Sequence, residues 1–254
     1  MKRILTAAAG IPLLLGLIFW GPPLAFRLAM ALVALLCLSE FLKLAAQDGA
    51  RPMRLAAYLA AAWVVAAEIT PGPLFFLGVT LLLLTLAMRG GREVTASLPG
   101  AGATLLGIVY TAIPFRLAAD LHAANPHWIV YTLLVNWLGD TAAYYVGRAL
   151  GRHKLAPAIS PAKTWEGAAA SLVAGAAAGT LYLYRFLPRP IAVAVGLSAV
   201  VSVVAQVGDL AESALKRGAG VKDSGALLPG HGGFLDRLDG VLFSLPVVYL
   251  ARPG

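Results

Sequence analysis

Charged residues are scarce in this chain. Lys, Arg, Asp and Glu make up 13% of the 254 residues, and hydrophobic residues make up 59%. A soluble domain usually carries about 25% charged residues, so the composition favours a polytopic membrane protein. In a soluble protein the net charge of +8 would suggest nucleic-acid binding, but basic cytoplasmic loops explain it here. We therefore predict no nucleic-acid partner.

Cysteine is almost absent, and so are linkers. Cys37 is the only cysteine and lies within an apolar run, which excludes a disulfide framework or a Cys-based metal site within one chain. No soluble domain, low-complexity linker or long repeat is visible, so we predict one membrane domain over 1–254. The apolar run after Lys2 and Arg3 is long for a signal peptide, and we interpret it as the first transmembrane helix.

Long apolar runs are what the chain has in abundance. They predict an all-α fold, a polytopic membrane bundle of about nine transmembrane helices. The nine candidate spans are 4–20, 24–42, 53–70, 73–88, 99–119, 127–147, 167–186, 190–211 and 238–252. Most Lys and Arg residues fall on the side of the N-terminus and of the 148–166 and 212–237 loops, which the positive-inside rule makes cytoplasmic.

One predicted span carries small residues at a regular spacing. Gly167, Ser171, Gly175 and Gly179 recur every four residues on one helix face. Small residues at this spacing let membrane helices approach closely, either within the chain or across a dimer. The alternative is an Ala-rich helix with no special partner.

Polar residues inside apolar spans are expensive, so they usually face a cavity or the bundle interior. Asn136, Asp140 and Tyr144 share one helix face, which indicates either interhelical hydrogen bonds or the wall of a polar cavity. Glu40 and Glu68 have no motif around them, and we interpret both as helix-end residues.

A polar stripe marks the end of the eighth span. Asp209, Glu212, Ser213 and Lys216 lie on one helix face. An ordinary helix pair explains Glu212 and Lys216 but leaves Asp209 unexplained.

The stretch SALKRGAGVKDSGALLPGHGGFLDRLD (213–239) then concentrates charge, glycine and histidine. Its glycines leave backbone N–H groups accessible to phosphate. Asp236 and Asp239 lie three residues apart on one helix face, and paired carboxylates suit Mg²⁺. Each feature alone has an ordinary structural explanation, but their combination favours phosphate chemistry.

A second charged loop precedes the seventh span. Ser160–Pro161 and Thr164-x-Glu166 are typical of a helix start, with Lys163 in its first turn. That arrangement would bind an anion through backbone N–H groups and the ammonium, and a simple helix cap is the alternative.

These motifs together resemble a known family. The pattern S-x-L-K-R-x4-K-D-x-G-x2-L-P-x-H-G-G-x2-D-R-x-D over 213–239 is similar to the signature of phosphatidate cytidylyltransferases, the CDP-diacylglycerol synthases. SPAKTWEG (160–167) and GDTAAYYVGR (139–148) resemble two further stretches of that family. The motifs cover roughly the last 120 residues.

The resemblance implies a reaction and its ligands. The phosphate of phosphatidic acid would attack the α-phosphorus of CTP, giving CDP-diacylglycerol and pyrophosphate. The implied cofactor is Mg²⁺, with room for a second cation of unknown identity, and membrane lipids are further implied partners. A homodimer is the partner that the small-residue face over 167–179 would allow. The 1–120 helices would then support the fold and face lipid, and 127–254 would carry the active site. In a bacterium the protein would lie in the plasma (inner) membrane.

The resemblance also implies residue roles. The metal-ligand candidates are Asp209 and Asp236 first, then Asp239 and Asp223. The candidate phosphate contacts are Lys163, Lys216, Arg217, Lys222 and Arg237. The catalytic set is Asp209, Asp236, Asp239, Lys216 and Arg237.

The remaining implied roles concern substrate binding. Ser160, Thr164 and Glu166 would shape a second wall of the site, and Ser213 and Asp140 complete the substrate-binding set. His231 either binds phosphate or holds its turn. No general base is assigned, because a phosphate monoester is already ionised near neutral pH.

The chain departs from the family pattern at two positions, and three other protein classes fit less well. Ala162 replaces a common Lys and Ala142 a frequent Gly. The D-G-x2-A-R pattern of CDP-alcohol phosphatidyltransferases is missing after Asp239. An ion-coupled transporter using Asp140 and Asp209 would predict an internal repeat, and a non-catalytic scaffold leaves the charge cluster unexplained.

Overall fold

The fold is all-α, as the composition predicts. The computed structural model describes residues 2–69, 71–89, 94–225 and 232–252, and 81% of these described residues are helical. The helices are α1 (Lys2–Trp20), α2 (Pro23–Gln47), α3 (Arg54–Ala66), α4 (Pro73–Arg89), α5 (Ser97–Gly107), α6 (Ile113–Ala124), α7 (His127–Leu150), α8 (Trp165–Phe186), α9 (Ile191–Gly218) and α10 (Leu235–Ala251). A π-helical turn, Ile108–Ala112, joins α5 to α6. Helix therefore occupies each of the nine predicted apolar segments.

Several of these helices are suited to a bilayer. Within the described ranges, four helical segments are long and apolar enough to cross a membrane. They are Pro23–Gln47, Ser97–Ala124, Trp165–Phe186 and Ile191–Gly218. An integral membrane protein follows from these four segments, since each reaches the length of about 20 residues that a bilayer core requires.

The chain divides into two compact units. The first contains residues 1–119 and 218–236, and the second contains residues 120–217 and 237–254. In the first unit, α2 packs against the π-helical turn through Gly107, where a Cβ would lie 2.9 Å from side-chain atoms of Leu38 and Phe41. The buried Thr104 hydroxyl accepts a hydrogen bond from the Met53 backbone N–H at 2.9 Å. These contacts fix α2, α3 and α5 against one another.

A buried arginine closes the end of α3. Arg116 is 4% exposed, and its guanidinium donates to the carbonyls of Val64, Ala67, Glu68 and Ile69. The last carbonyls of a helix lack internal partners, and a cation there also complements the helix dipole. Glu68 lies beyond the end of α3, as its helix-end interpretation requires.

The small residues of α8 pack inside the second unit. All four members of the predicted face, Gly167, Ser171, Gly175 and Gly179, are buried. A Cβ at Gly179 would lie 2.6 Å from both Ser198 Oγ of α9 and Val135 Cγ2 of α7. The small-residue face of α8 therefore packs against α7 and α9 of the same chain. Packing within the chain was one of the alternatives that the spacing left open.

A short hairpin precedes α8, which sequence reasoning did not anticipate. Strands β1 (Lys154–Ala156) and β2 (Ser160–Thr164) pair antiparallel, with Lys154 opposite Thr164 and Ala156 opposite Ser160. The prediction that Ser160–Pro161 starts a helix is therefore wrong, because this pairing keeps the segment extended. Lys163 lies on β2 and not in the first turn of a helix.

The helix start itself lies a few residues later. Thr164 is the N-cap of α8, and its hydroxyl accepts from the Gly167 N–H at 3.1 Å, so the cap is confirmed. Glu166 turns instead toward the residue that precedes β1. Its carboxylate lies 2.6 Å from His153 Nδ1, and the Trp165 N–H donates to the His153 carbonyl at 2.9 Å.

Candidate active site

Four charged side chains meet in the second unit. Asp140 comes from α7, Lys163 from β2, Asp209 from α9 and Asp239 from α10. Lys163 Nζ lies 2.6 Å from Asp209 Oδ2, and the two side chains are 25% and 37% exposed. Lys163 is therefore a partner of Asp209, the one residue of the α9 stripe that the Glu212–Lys216 pair left unexplained. Residues far apart in the sequence thus form one polar cluster.

The charge of this cluster is unbalanced. Asp140 and Asp239 each interact electrostatically with Asp209, which repels them, and with Lys163, which attracts them. Asp239 also accepts a hydrogen bond from the Gly240 N–H at 2.7 Å. Three carboxylates therefore share one ammonium, and a further cation would relieve the repulsion among them.

Glycines beside the aspartates allow this convergence. Each of the three aspartates has a glycine neighbour at a close helix contact: Gly139, Gly208 and Gly240. A Cβ at Gly208 would lie 2.6 Å from the Asp239 carbonyl oxygen, and one at Gly139 would lie 2.8 Å from Ser171 Oγ. Because the helices approach closely at these points, the adjoining carboxylates are brought together.

The polar face of α7 makes contacts of two kinds. Asn136 is buried and donates to Ser244 Oγ of α10 at 3.1 Å, which is the interhelical hydrogen bond. Asp140 lies one turn later, is exposed and belongs to the charged cluster. Tyr144 is exposed, and its hydroxyl accepts from Arg148 at 3.0 Å.

The stripe on α9 is also organised. Lys216 Nζ lies 2.5 Å from the buried carboxylate of Glu212, so the predicted helix pair is confirmed. Ser213 is buried beside it. Arg217 Nε donates to the carbonyl of Ile159 at 3.2 Å, which ties the end of α9 to the hairpin. Arg217 is thus held next to the strand pair that carries Ser160 and Lys163.

The first unit contains residues 218–236 of the charged stretch 213–239, which leads into α10. Asp236 accepts from the Ser224 N–H at 3.0 Å and from the Gly233 N–H at 2.8 Å. A carboxylate has about four lone-pair positions and can accept several such bonds at once. Lys222 and Asp223 are exposed in this unit, and Arg237 is exposed at the start of the second. His231 lies outside the described residues.

The carboxylates fit Mg²⁺ chemically without forming a complete ligand set. No group of three His, Cys, Asp or Glu side chains within 2–69, 71–89, 94–225 and 232–252 is arranged to hold a metal ion. Mg²⁺ usually takes one or two protein carboxylates and completes its shell with water and substrate phosphates. Hard oxygen donors with excess negative charge, as in the second unit, match that requirement.

Two arrangements of ionisable side chains were not found from the sequence. The His153 side chain contacts the Glu166 carboxylate and so anchors the hairpin. A lone histidine in a loop gives no sequence signal of this role. Glu40 lies well inside α2 and is fully buried, so its helix-end interpretation is wrong. A carboxylate in an apolar span was itself the available signal, because such residues rarely lie there without a function.

The fold defines an integral membrane protein, and the charged cluster is a polar site rich in carboxylates. Comparison with known families makes this specific. The chain matches the model of the cytidylyltransferase family over residues 1–252 and belongs to that family.

Curated relatives carry one name. The chain is 41% identical over 145 residues to the phosphatidate cytidylyltransferase of Staphylococcus aureus, a match that covers 57% of this chain and 56% of that protein. The Staphylococcus saprophyticus protein of the same name is 43% identical over 146 residues, with the same two coverages. The Bacillus subtilis protein of that name is 41% identical over 152 residues, covering 58% and 56%. The chain thus spans just over half the length of the relatives that it matches.

Proposed function

We propose that this protein transfers the cytidylyl group of CTP to phosphatidic acid, giving CDP-diacylglycerol and pyrophosphate. The observation that carries the proposal is the cluster of Asp140, Asp209, Asp239 and Lys163, whose members come from four different elements. Family membership and the names of the relatives support the same reaction.

The chemistry joins two anions, so the site must reduce their mutual repulsion. A phosphate oxygen of phosphatidic acid forms a bond to the α-phosphorus of CTP, and the bond from that phosphorus to the β-phosphate bridging oxygen breaks. The Lys163 ammonium would bind a phosphate oxygen of a substrate after the ammonium separates from Asp209. Lys216, Arg217, Lys222 and Arg237 are the other proposed phosphate contacts, since fixed cations stabilise charge that develops during transfer.

Mg²⁺ bound by carboxylates would supply charge neutralisation at the triphosphate. In the second unit, Asp209 and Asp239 are the proposed ligands, and Asp140 lies close enough to orient them electrostatically. Asp236, the other ligand expected from the resemblance, stays a prediction. Any second cation is likewise part of the proposal.

The proposed topology has nine spans with a cytoplasmic N-terminus. The 148–166 and 212–237 loops would then face the cytoplasm, where most basic residues lie. The site in this arrangement receives CTP from water and phosphatidic acid from the bilayer. The shorter helices, such as Arg54–Ala66, would span with the help of local bilayer thinning.

The test is a transfer assay on purified protein in detergent. Phosphatidic acid, Mg²⁺ and CTP labelled in the cytidine are supplied, and label in the lipid extract is measured. We expect label in the lipid phase, its loss with a chelator, and its return when Mg²⁺ is restored. Lys163→Ala should lower kcat by about a hundredfold, as removal of one fixed positive donor does elsewhere.

Lys154→Ala is the matched control, because Lys154 is an exposed lysine on the partner strand of the same hairpin. It should retain wild-type transfer. Folded wild-type protein that transfers no label with several lipids and divalent ions would refute the proposed reaction. Equal losses in both lysine variants would refute the role of Lys163.

A further inference from the structure

Glu40 is a buried carboxyl in the middle of α2. Its side chain is 0% exposed, although it lies in one of the helices apolar enough to cross a membrane. Burial of such a group is costly unless hydrogen bonds compensate it. Its Oε2 accepts from the Ser224 hydroxyl at 3.1 Å and from the Leu235 backbone N–H at 2.9 Å. Both donors lie within the signature stretch (213–239), far along the chain, and both belong to the first unit.

The backbone around Glu40 is fitted closely to its carboxyl. A Cβ at Gly225 would lie 2.8 Å from Glu40 Cδ, and one at Gly233 would lie 2.7 Å from the same atom. Any side chain at either position would therefore displace the carboxyl. Glu40 therefore contacts the signature stretch at two places, at Ser224 and Gly225 and again at Gly233 and Leu235.

Ser224 connects Glu40 to Asp236. Its hydroxyl donates to Glu40, and its backbone N–H donates to Asp236. Asp236 also accepts a hydrogen bond from the Gly233 backbone N–H. The preceding residue, Gly232, adopts φ +80°, a conformation that favours glycine. The Leu235 N–H is one of the unpaired donors at the start of α10, so Glu40 also sets where this helix begins.

We propose that Glu40 is a positioning residue for the transfer reaction, acting through Ser224 and Leu235 to hold Asp236 in place. This inference rests on the proposed function, because Asp236 belongs to the predicted metal-binding carboxylates. The role depends on acceptor geometry and not on negative charge: the oxygen that receives both hydrogen bonds is the one that matters. Within the described residues, the other oxygen, Oε1, has no hydrogen-bond partner.

Three substitutions separate geometry from charge. Glu40→Gln keeps an acceptor oxygen at the same reach, Glu40→Asp keeps the charge but is one methylene shorter, and Glu40→Ala removes the acceptor. Glu68→Gln is the control, since Glu68 is exposed and it is its backbone carbonyl that accepts from Arg116. We expect Gln to retain activity within about twofold and Asp and Ala to lose about tenfold or more, because they lose two hydrogen bonds.

Two readouts accompany each variant. The first is hydrogen–deuterium exchange at the Ser224, Gly233 and Leu235 amides, measured without substrate. It should accelerate about tenfold or more in the Asp and Ala variants and stay unchanged in Gln and in the control. The second is the Mg²⁺ concentration for half-maximal transfer, which should rise in the Asp and Ala variants only.

The outcomes are distinct. Activity retained by Asp but lost by Gln would overturn the inference, because charge would then be the property that matters. Wild-type exchange and Mg²⁺ dependence in folded Asp and Ala variants would also overturn it. If Ala fails to fold, the comparison of Asp with Gln still decides. Wild-type protein without transfer activity would refute the proposed function, and the exchange measurement would still decide whether Glu40 holds this stretch.

Discussion

At the scale of single residues, the main feature is three aspartates that share one lysine. Asp140, Asp209 and Asp239 lie close enough for their charges to interact, and Lys163 contacts Asp209 directly. Like charges in a partly desolvated site destabilise the fold unless a cation joins them. The arrangement therefore sacrifices stability for ligand binding, as functional sites often do.

This imbalance predicts opposite effects on stability and activity. Asp239→Asn keeps the shape and the acceptor for Gly240 but removes one negative charge. Without Mg²⁺, relief of repulsion should raise the unfolding temperature, by about 2–4 °C if it contributes about 1 kcal/mol. Transfer activity should be lost. Thermal unfolding in detergent and the transfer assay measure the two effects.

Asp48→Asn serves as the control, because Asp48 is an exposed carboxylate at the end of α2. It should change neither quantity. A lower unfolding temperature for Asp239→Asn would show that its charge stabilises the folded protein, contrary to this argument.

The sequence identified the charged residues better than it identified their partners. Asp140, Asp209 and Asp239 were all predicted, since charge is conspicuous in apolar surroundings. The Lys163–Asp209 pair was not, because its members lie on different elements. Glu40 was missed for the same reason: its donors lie 184 and 195 positions away, and no local pattern connects them.

At the scale of secondary-structure elements, close packing of α8 is the feature with the clearest consequence. Gly179→Ala would place a Cβ 2.6 Å from Ser198 Oγ and Val135 Cγ2. Overpacking of this kind costs about 1–3 kcal/mol, so the variant should unfold at lower temperature. Gly196→Ala on α9 is the matched control, since nothing lies within 4 Å of its Cβ position. It should be neutral or slightly stabilising in the same unfolding experiment, and equal destabilisation of both variants would contradict the packing argument.

Helices were predicted well at this scale and strands were not. Runs of apolar residues identify helical segments by length alone, and small residues at every fourth position identified the packed face of α8. Strands β1 and β2 have only three and five residues, too few for a periodic pattern. Their pairing depends on a contact between segments that a local sequence signal does not contain.

At the scale of the whole molecule, the helix lengths bear on membrane topology. α8 has 22 residues, which at about 1.5 Å per residue is enough to cross a bilayer core. The hairpin and the connection after α8 should therefore lie on opposite faces of the membrane. The positive-inside rule assigns the hairpin to the cytoplasm.

Cysteine labelling tests this assignment. Cys37 is buried, so the native chain should not react with a membrane-impermeant maleimide. Lys154→Cys and Pro188→Cys place thiols at exposed positions before and after α8. In inverted vesicles Lys154→Cys should be labelled and Pro188→Cys protected, and intact cells stripped of their wall should show the reverse. Labelling of both variants from one side would rule out α8 as a span.

The lysine–aspartate contact makes the resting protein sensitive to ionic strength. Because both side chains are partly exposed, dissolved salt screens their attraction and weakens the link between β2 and α9. The same salt screens the attraction of Lys163 for an incoming triphosphate. At low salt concentration, Asp209 and the triphosphate both attract the Lys163 ammonium more strongly. At high salt concentration both attractions are weaker. Because a triphosphate carries more charge than one carboxylate, added salt weakens its attraction more and favours the contact of Lys163 with Asp209.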